Sequence, residues 1–308
     1  MSEPNRELTT LTRRQGANEA LFDGTVIPNG FSPRFAEIPI LVKGFRRMVR
    51  DLEFDVSEMA LTTYLTAREH GVAFTALPIF LVRGFHHGAI RYNVRSSIRE
   101  PKDLEGRRVG VNRGYTVTTG VWARGILATE YGVDLDTITW VLSGDEHVAS
   151  YRPPANVVSA PSGRDLGAML VDGELDAVIG VEVDHPDVAT LIQEPEEAAV
   201  AALRERAFYP INHLVVVKDE VLQRYPTVSR AMCEAFGEAK DRYVARLRDG
   251  IISGDSDRMY SRVLQTTGVD PLPYGVEDNR AMLEQLMEFA LAQRILTERV
   301  DIDDLFAA

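Results

Sequence analysis

The sequence predicts an α/β protein whose chain falls into two blocks, each with its own sheet. Three observations carry this expectation. Short apolar runs alternate with helical patterns along the first half, as expected for strands covered by helices. The 308 residues suffice for one large core or two smaller ones, and 45 % apolar residues suits a folded globular chain. Beyond Val94 a second series of strand and helix signals begins, enough to build a second lobe.

Taken in order, Glu37-Ile38-Pro39-Ile40 reads as a strand, 43–51 as a helix, Phe54-Asp55-Val56-Ser57 as a short strand and 61–70 as a helix. Residues 72–82 are extended, and Ala89-Ile90-Arg91-Tyr92-Asn93-Val94 forms a further strand. From Glu100 a short helix, the Gly106 turn and the strand Val109-Gly110-Val111 follow one another. The amphipathic segment 118–131 is a helix closed by Gly132 at the position after its cap. Thr139-Trp140-Val141-Leu142 is a strand, 164–172 a helix ended by Gly173, and 176–181 a buried strand. The acidic, alanine-rich stretch 193–202 reads as a solvated surface segment. After the strand Leu214-Val215-Val216-Val217 the chain turns helical, over 225–247 and 277–296.

Composition narrows the function. A net charge of -12 without a basic stripe argues against nucleic acid as a partner. The single cysteine, Cys233, forms no intrachain disulfide and reads as core. The N-terminus has no apolar targeting segment, and no run approaches the roughly 18 apolar residues of a membrane helix. These features read as a cytoplasmic protein, with no membrane partner. A homo-oligomer stays open, since symmetric dimers are common at this size.

The most informative stretch is Arg83-Gly84-Phe85-His86-His87, which follows the apolar run 76–82 and holds two of only six histidines. Histidine titrates near neutral pH and arginine forks onto carboxylates. If the strand continued, Arg83 and His87 would share a face and His86 would point away. One reading is a proton-exchanging histidine beside a carboxylate clamp. The other is a hydrogen-bonded histidine at a lobe junction and a surface ion pair.

Several segments resemble the 4,5-dihydroxyphthalate decarboxylase family. They are Phe45-Arg46-Arg47-Met48, Glu53-Phe54-Asp55-Val56-Ser57-Glu58-Met59, Val121-Trp122-Ala123-Arg124-Gly125-Ile126-Leu127, Tyr209-Pro210-Ile211-Asn212-His213 and Asp270-Pro271-Leu272-Pro273-Tyr274-Gly275-Val276-Glu277. Val109-Gly110-Val111 and the closing Asp304-Leu305-Phe306 also fit, so the resemblance runs in order from about residue 20 to the end. It implies a two-lobed type II periplasmic-binding-protein-like fold, each lobe a mixed sheet flanked by helices, with a ligand cleft between lobes. By that resemblance lobe I is discontinuous, 1–95 and 212–308, and lobe II is 96–211. Two departures stand out. The Asp/Tyr/Thr loop that usually follows the family's first strand is replaced by 11–18, and His86 stands where arginine is expected.

Other candidates follow from residue types. Ser57 and Glu58 end a short strand before a helix. Ser57 would cap that helix and leave its amides open, while Glu58 would act as a base toward a phenol or orient a histidine. Capping alone is the plain alternative. His213, which matches the family, reads as a cleft-facing histidine or as a satisfied core residue near a hinge. The turn holding Arg113, Tyr115, Thr118 and Thr119 joins a strand to a helix and reads as an anion site or as ordinary capping. Asp145-Glu146-His147 reads as solvated loop rather than as a metal fragment, because no cysteine pair or His-Glu-x-x-His accompanies it.

The activity that the resemblance implies is cofactor-independent decarboxylation of a hydroxylated aromatic carboxylate, 4,5-dihydroxyphthalate to protocatechuate and CO2. No cofactor is expected, with a divalent ion left open. His87 or His213 would be the acid, Glu58 the partner of a substrate hydroxyl, and Arg83 with Thr118 and Thr119 the clamps, supported by His86, Ser57, Arg113 and Tyr115. The competing reading is a non-enzymatic solute-binding protein for a small carboxylate, for which an export signal or lipobox cysteine is expected. A regulator's effector domain is a third, though no helix-turn-helix accompanies it.

Overall fold

Strand and helix alternate along residues 5–307, the part of the chain that the computed structural model describes. In order they are β1 (Arg6–Leu11), α1 (Glu19–Phe22), β2 (Phe31–Phe35), α2 (Leu41–Asp51), β3 (Val56–Ala60), α3 (Leu61–Glu69) and β4 (Phe74–Arg83). Next come β5 (Ile90–Asn93), β6 (Arg108–Val111), α4 (Thr118–Tyr131), β7 (Thr139–Leu142), β8 (Val157–Ser159), α5 (Leu166–Val171), β9 (Ala177–Ile179), β10 (Val188–Thr190) and α6 (Pro195–Arg206). The chain closes with β11 (Ile211–Lys218), α7 (Asp219–Arg224), α8 (Val228–Arg248), α9 (Asp255–Thr267) and α10 (Arg280–Ala292).

Two compact units result. The first comprises Met1–Gly84, Ile211–Leu283 and Val300–Ala308, the second Phe85–Pro210 and Glu284–Arg299. Among the described residues, the first unit holds a five-stranded sheet in the order β2-β1-β3-β11-β4. β1 runs parallel to β2 and β3, whereas β11 is antiparallel to β3 and β4. The second unit holds a six-stranded sheet, β10-β5-β9-β6-β7-β8, parallel from β9 to β8 and antiparallel at β5 and β10. Both sheets are mixed and flanked by helices, as the fold class requires.

The core of the first unit forms where α8 lays Val228, Met232, Ala235, Phe236 and Ala239 against Leu77, Ile79, Leu81, Val215 and Val217 of the sheet. Those helix positions recur at three- and four-residue steps, so a single face is apolar. In the second unit Trp122 meets Phe208 and Phe289 edge to face, at 5.5 and 5.7 Å between centroids. Gly125 makes that approach possible, because a Cβ there would lie 2.1 Å from the Phe289 ring. Residues 284–299, which the sequence analysis places with lobe I, group with this second unit.

Several elements differ from expectation for identifiable reasons. Glu37 to Ile40 is irregular; the strand is β2, five residues earlier, where an edge position tolerates Pro33. The short strand expected at Phe54 begins at Val56 and extends through Glu58 to Ala60. The segment expected to be merely solvated is helix α6, with Pro195 in its first turn, Glu196 and Glu197 beside it, and Arg204 and Arg206 at its end. Ala199, Ala202 and Leu203 bury its inner face. By contrast α4 and β7 have the expected limits, and Gly132 closes α4 at φ 64°.

Candidate functional site

β3 is buried along its whole length, yet it carries Ser57 and Glu58. A buried carboxylate needs partners, and the neighbouring strands supply them. β11 pairs antiparallel with β3, setting Val215 opposite Glu58 and His213 opposite Ala60. Glu58 and His213 are therefore diagonal neighbours on one face, within reach of each other's side chains. His213 Nδ1 lies 2.6 Å from Glu58 Oε1. Thr12 Oγ1 and the Arg13 amide both donate to Glu58 Oε2 at 2.9 Å, and the Arg13 guanidinium lies 3.7 Å from Oε1. Both carboxylate oxygens are thus committed to the protein.

The carboxylate is acceptor-only when ionised, so His213 donates through Nδ1–H, and its other nitrogen, Nε2, is the one left for chemistry. The ring stands edge-on to Phe45 at 5.3 Å, and the side chain keeps 20 % exposure while that of Glu58 keeps none. Among the described residues nothing engages Nε2. Burial alone would raise the Glu58 carboxyl, but the His213 hydrogen bond and charge, with the Arg13 amide, hold it below its ordinary 4.5. A depressed folded value means that Glu58 contributes stability fully above about pH 4.5 and loses it as pH falls through the lower folded value. Glu58→Gln is therefore expected to flatten this limb of the stability profile, read by urea unfolding between pH 3 and 7. An unchanged acid limb would show that Glu58 is not depressed.

This arrangement bears on two expectations. Ser57 lies within β3, paired to Leu11 and Val216, and its Oγ donates to the Glu58 carbonyl at 2.7 Å. It caps nothing: Ala60 is the cap of α3, which has no side-chain cap. Glu58 is enclosed and held by Thr12, Arg13 and His213, which occupy both of its oxygens.

Arg83 is the last residue of β4, paired with Ile211 and buried. Its amide donates to the Tyr260 hydroxyl at 3.4 Å, and burial raises the Tyr260 phenol. Tyr260 carried no sequence signal, whereas Thr12 and Arg13 lie in the 11–18 loop that departs from the family pattern. The strand that positions those two ends at Leu11, one residue before the loop that touches Glu58.

His86 and His87 belong to the second unit, beyond the end of β4. His87 opens a short 3₁₀ turn, so the alternation that would align it with Arg83 does not apply. Its side chain is fully enclosed, its ring lies edge-on to Phe208 at 6.2 Å, and Nε2 sits 3.0 Å from Glu130 Oε2. Glu130 also receives Arg206 at 2.7 Å, and these two partners outweigh burial to keep its carboxyl low. The imidazole is thus enclosed and already holds a carboxylate through Nε2, while Nδ1 is buried without a partner among the described residues. His86, also buried, precedes the turn in an irregular conformation.

The Arg113 to Thr119 turn does bind an anion, and the anion is the protein's own. Glu146 accepts from the Tyr115 amide at 2.5 Å, the Thr116 amide at 3.2 Å and the Thr116 hydroxyl at 2.6 Å. Glu146 and His147 are buried, not solvated loop. Gly114 leaves room for the carboxylate, since a Cβ there would lie 2.5 Å from its oxygen. Beneath this turn Arg124 is fully buried, its guanidinium 3.9 Å from the Tyr115 ring centroid. Nη2 donates to the Tyr115 carbonyl at 2.6 Å and Nε to Gln293 Oε1 at 2.7 Å. Burial pushes its pKa down, and Tyr115, Tyr151 and Glu146 oppose that.

A small cavity lies at the start of α4. The helix cap, Val117, has no side chain to offer, and the cavity, of about 30 Å³, adjoins the first turn, lined by Arg113, Thr119, Gly120 and Gly180 among others. Thr118 is buried while Thr119 and the exposed Arg113 border that cavity. First-turn amides lack intrahelical acceptors, so a carboxylate oxygen suits this position. Tyr151 donates its hydroxyl to the Arg294 carbonyl at 3.2 Å. Among the described residues no group of three His, Cys, Asp or Glu side chains could hold a metal ion, and no helix is long and apolar enough to cross a membrane.

Comparison with known proteins gives the family. No family model matches the chain. A 4,5-dihydroxyphthalate decarboxylase from Comamonas testosteroni is 30 % identical, covering 93 % of this chain and 92 % of that one. Another from Pseudomonas putida is 34 % identical over 58 % of this chain and 74 % of its own. Among solved structures, the alkanesulfonate-binding protein SsuA from Xanthomonas axonopodis pv. citri has a TM-score of 0.54 at 15 % identity, covering 100 % of this chain and 99 % of its own. The desulfurization enzyme DSZB has a TM-score of 0.53 at 16 % identity, covering 98 % and 96 %. These structures share the periplasmic-binding-protein-like fold. With 30 % identity along nearly its whole length, the chain belongs to the 4,5-dihydroxyphthalate decarboxylase family.

Proposed function

We propose that this protein is a carbon–carbon lyase that decarboxylates a hydroxylated aromatic carboxylate, 4,5-dihydroxyphthalate, to protocatechuate and CO2, and that His213 supplies the proton. The observation that carries this reading is the Glu58–His213 pair: a buried carboxylate fixes Nδ1 and leaves Nε2 as the nitrogen available to a substrate. The names of the relatives supply the substrate class.

Direct loss of CO2 from a benzoate would leave a lone pair on a ring carbon. Protonating that carbon first avoids this. The hydroxyl para to the departing carboxylate donates electron density to the ring, and the imidazolium Nε2–H passes its proton to the carboxyl-bearing carbon. The carbon–carbon bond then breaks, its electrons restore the aromatic ring, CO2 leaves, and neutral His213 takes a proton from water. Net consumption is one proton per carboxylate lost. Glu58 holds the ring orientation and stabilises the imidazolium, the work expected of a carboxylate behind a catalytic histidine. Arg13, 52 % exposed and next to Glu58, is the carboxylate anchor of the first unit. The chain's own residues suffice for this acid chemistry, and no step calls for a cofactor.

The test is to incubate chelator-treated protein with 4,5-dihydroxyphthalate and with a panel of hydroxylated phthalates and benzoates, following CO2 and the phenolic product. Turnover of 4,5-dihydroxyphthalate is expected. Turnover restricted to another panel member would reassign the substrate. Tight binding without turnover of any member would overturn the enzyme reading in favour of a solute-binding protein.

A further inference from the structure

An arginine-lined groove lies in the first unit, at the other end of β1 from Glu58. Arg6 begins β1, whereas Thr12, which bonds Glu58, follows its last residue. Six strand residues at about 3.3 Å each put roughly 20 Å between them. Around Arg6 opens a groove of about 940 Å³, bordered by the loop before β2 and by the junction of α7 and α8. Arg224 and Arg230 border it as well.

Three arginines border this groove in a chain of 46 acidic and 34 basic residues, whereas arginines such as Arg14, Arg34, Arg91 and Arg95 reach carboxylates. Among the described residues Arg6 and Arg224 have no carboxylate partner. Instead both lie against the ring of Tyr225, with guanidinium carbons 5.1 and 5.4 Å from its centroid. Tyr225 is itself braced edge-on by Phe31 at 6.0 Å. Two guanidinium groups are therefore held at one aromatic ring, with no acid among the described residues to match their donors. Arg230 has one carboxylate near it, Glu234 at 3.9 Å, the only acid bordering the groove among the described residues.

Thr227, Arg230 and Ala231 at the start of α8 border the same groove, while Ser229 between them is buried. Thr227 is the helix cap but makes no side-chain capping bond. The Val228 amide turns to the Tyr225 carbonyl and the Ala231 amide to the Thr227 carbonyl. The intervening amides, Ser229 and Arg230, have no acceptor among the described residues, and in a first turn none comes from the helix. Arginine donors and uncapped amides together suit an oxyanion with several acceptor oxygens. We propose that this groove binds a small multivalent oxyanion, a phosphate or a carboxylate, separate from the Glu58–His213 site.

The test follows the amide resonances of Ser229 and Arg230 in the isotope-labelled full-length protein during titration with inorganic phosphate and, separately, with succinate. Saturable shifts of both amides are expected with at least one of the two, and whichever ion acts identifies the phosphate or carboxylate source. In Arg6→Gln/Arg224→Gln the apparent affinity is expected to fall at least tenfold, while decarboxylation by that variant matches the parent. His213→Gln is expected to keep the shifts, so a failure of the proposed reaction would leave this result standing. Absent shifts in the parent at tens of millimolar, or shifts unchanged in the double variant, would overturn the proposal. Arg230→Gln supplies an independent reading should the double variant fold poorly.

Discussion

Replacing His213 with glutamine is expected to lower decarboxylation about 10²- to 10⁴-fold, the contribution typical of a positioned general acid. Glutamine keeps a polar group near Glu58 but has no proton to give at neutral pH. The substrate's Michaelis constant should change far less, because the ring nitrogen acts on carbon in the transition state. Stability should fall modestly, since Glu58 keeps Thr12 and Arg13. His87→Ala is the contrasting variant. Its enclosed ring fills space against Phe208 and holds Glu130, so its loss should cost on the order of 2–4 kcal/mol of stability. Turnover per folded molecule should stay near that of the parent. If His87→Ala lost turnover and His213→Gln kept it, the assignment of the two histidines would be reversed.

Glu146→Ala is expected to be the most destabilising of the polar substitutions, by about 3–5 kcal/mol in urea unfolding. Two buried amides and one hydroxyl would lose their acceptor. The fully buried Arg124 cation would also lose the carboxylate that supports it. Glu146→Gln should retain part of the stability, because its one oxygen can still receive the Tyr115 amide while its NH2 faces the Thr116 donors. Hydrogen exchange at Tyr115 and Thr116 should accelerate in both variants, more in alanine. A cost below about 1 kcal/mol for Glu146→Ala would mean that water replaces the carboxylate and that the turn does not depend on it.

Local signals were legible wherever a single element carried its own punctuation. The limits of α4 follow from its periodicity and Gly132, and those of β7 from a four-residue apolar run. The fold class followed from alternation and from the family motifs, because burying one face of each element needs only the right period. What sequence left undivided were residues whose meaning depends on a distant partner. His87 and His213 are equally histidines next to strands. One meets Glu130 in a closed core, while the other meets Glu58 and keeps part of its ring exposed. Glu146 sits in a polar run that looks solvated until the turn thirty residues earlier encloses it.

By itself the sequence determined an α/β chain of this family, without a basic surface, with most helices and strands near their observed places. Only the tertiary structure decided which carboxylate meets which donor. It placed Glu58 diagonal to His213 through strand register, filled the expected anion turn with Glu146, and brought residues 284–299 to the second unit through Phe289 and Gln293. The physical reason is that helix and strand periods are written in neighbouring residues, whereas buried charges are satisfied by whichever partner the packed chain brings within about 3 Å.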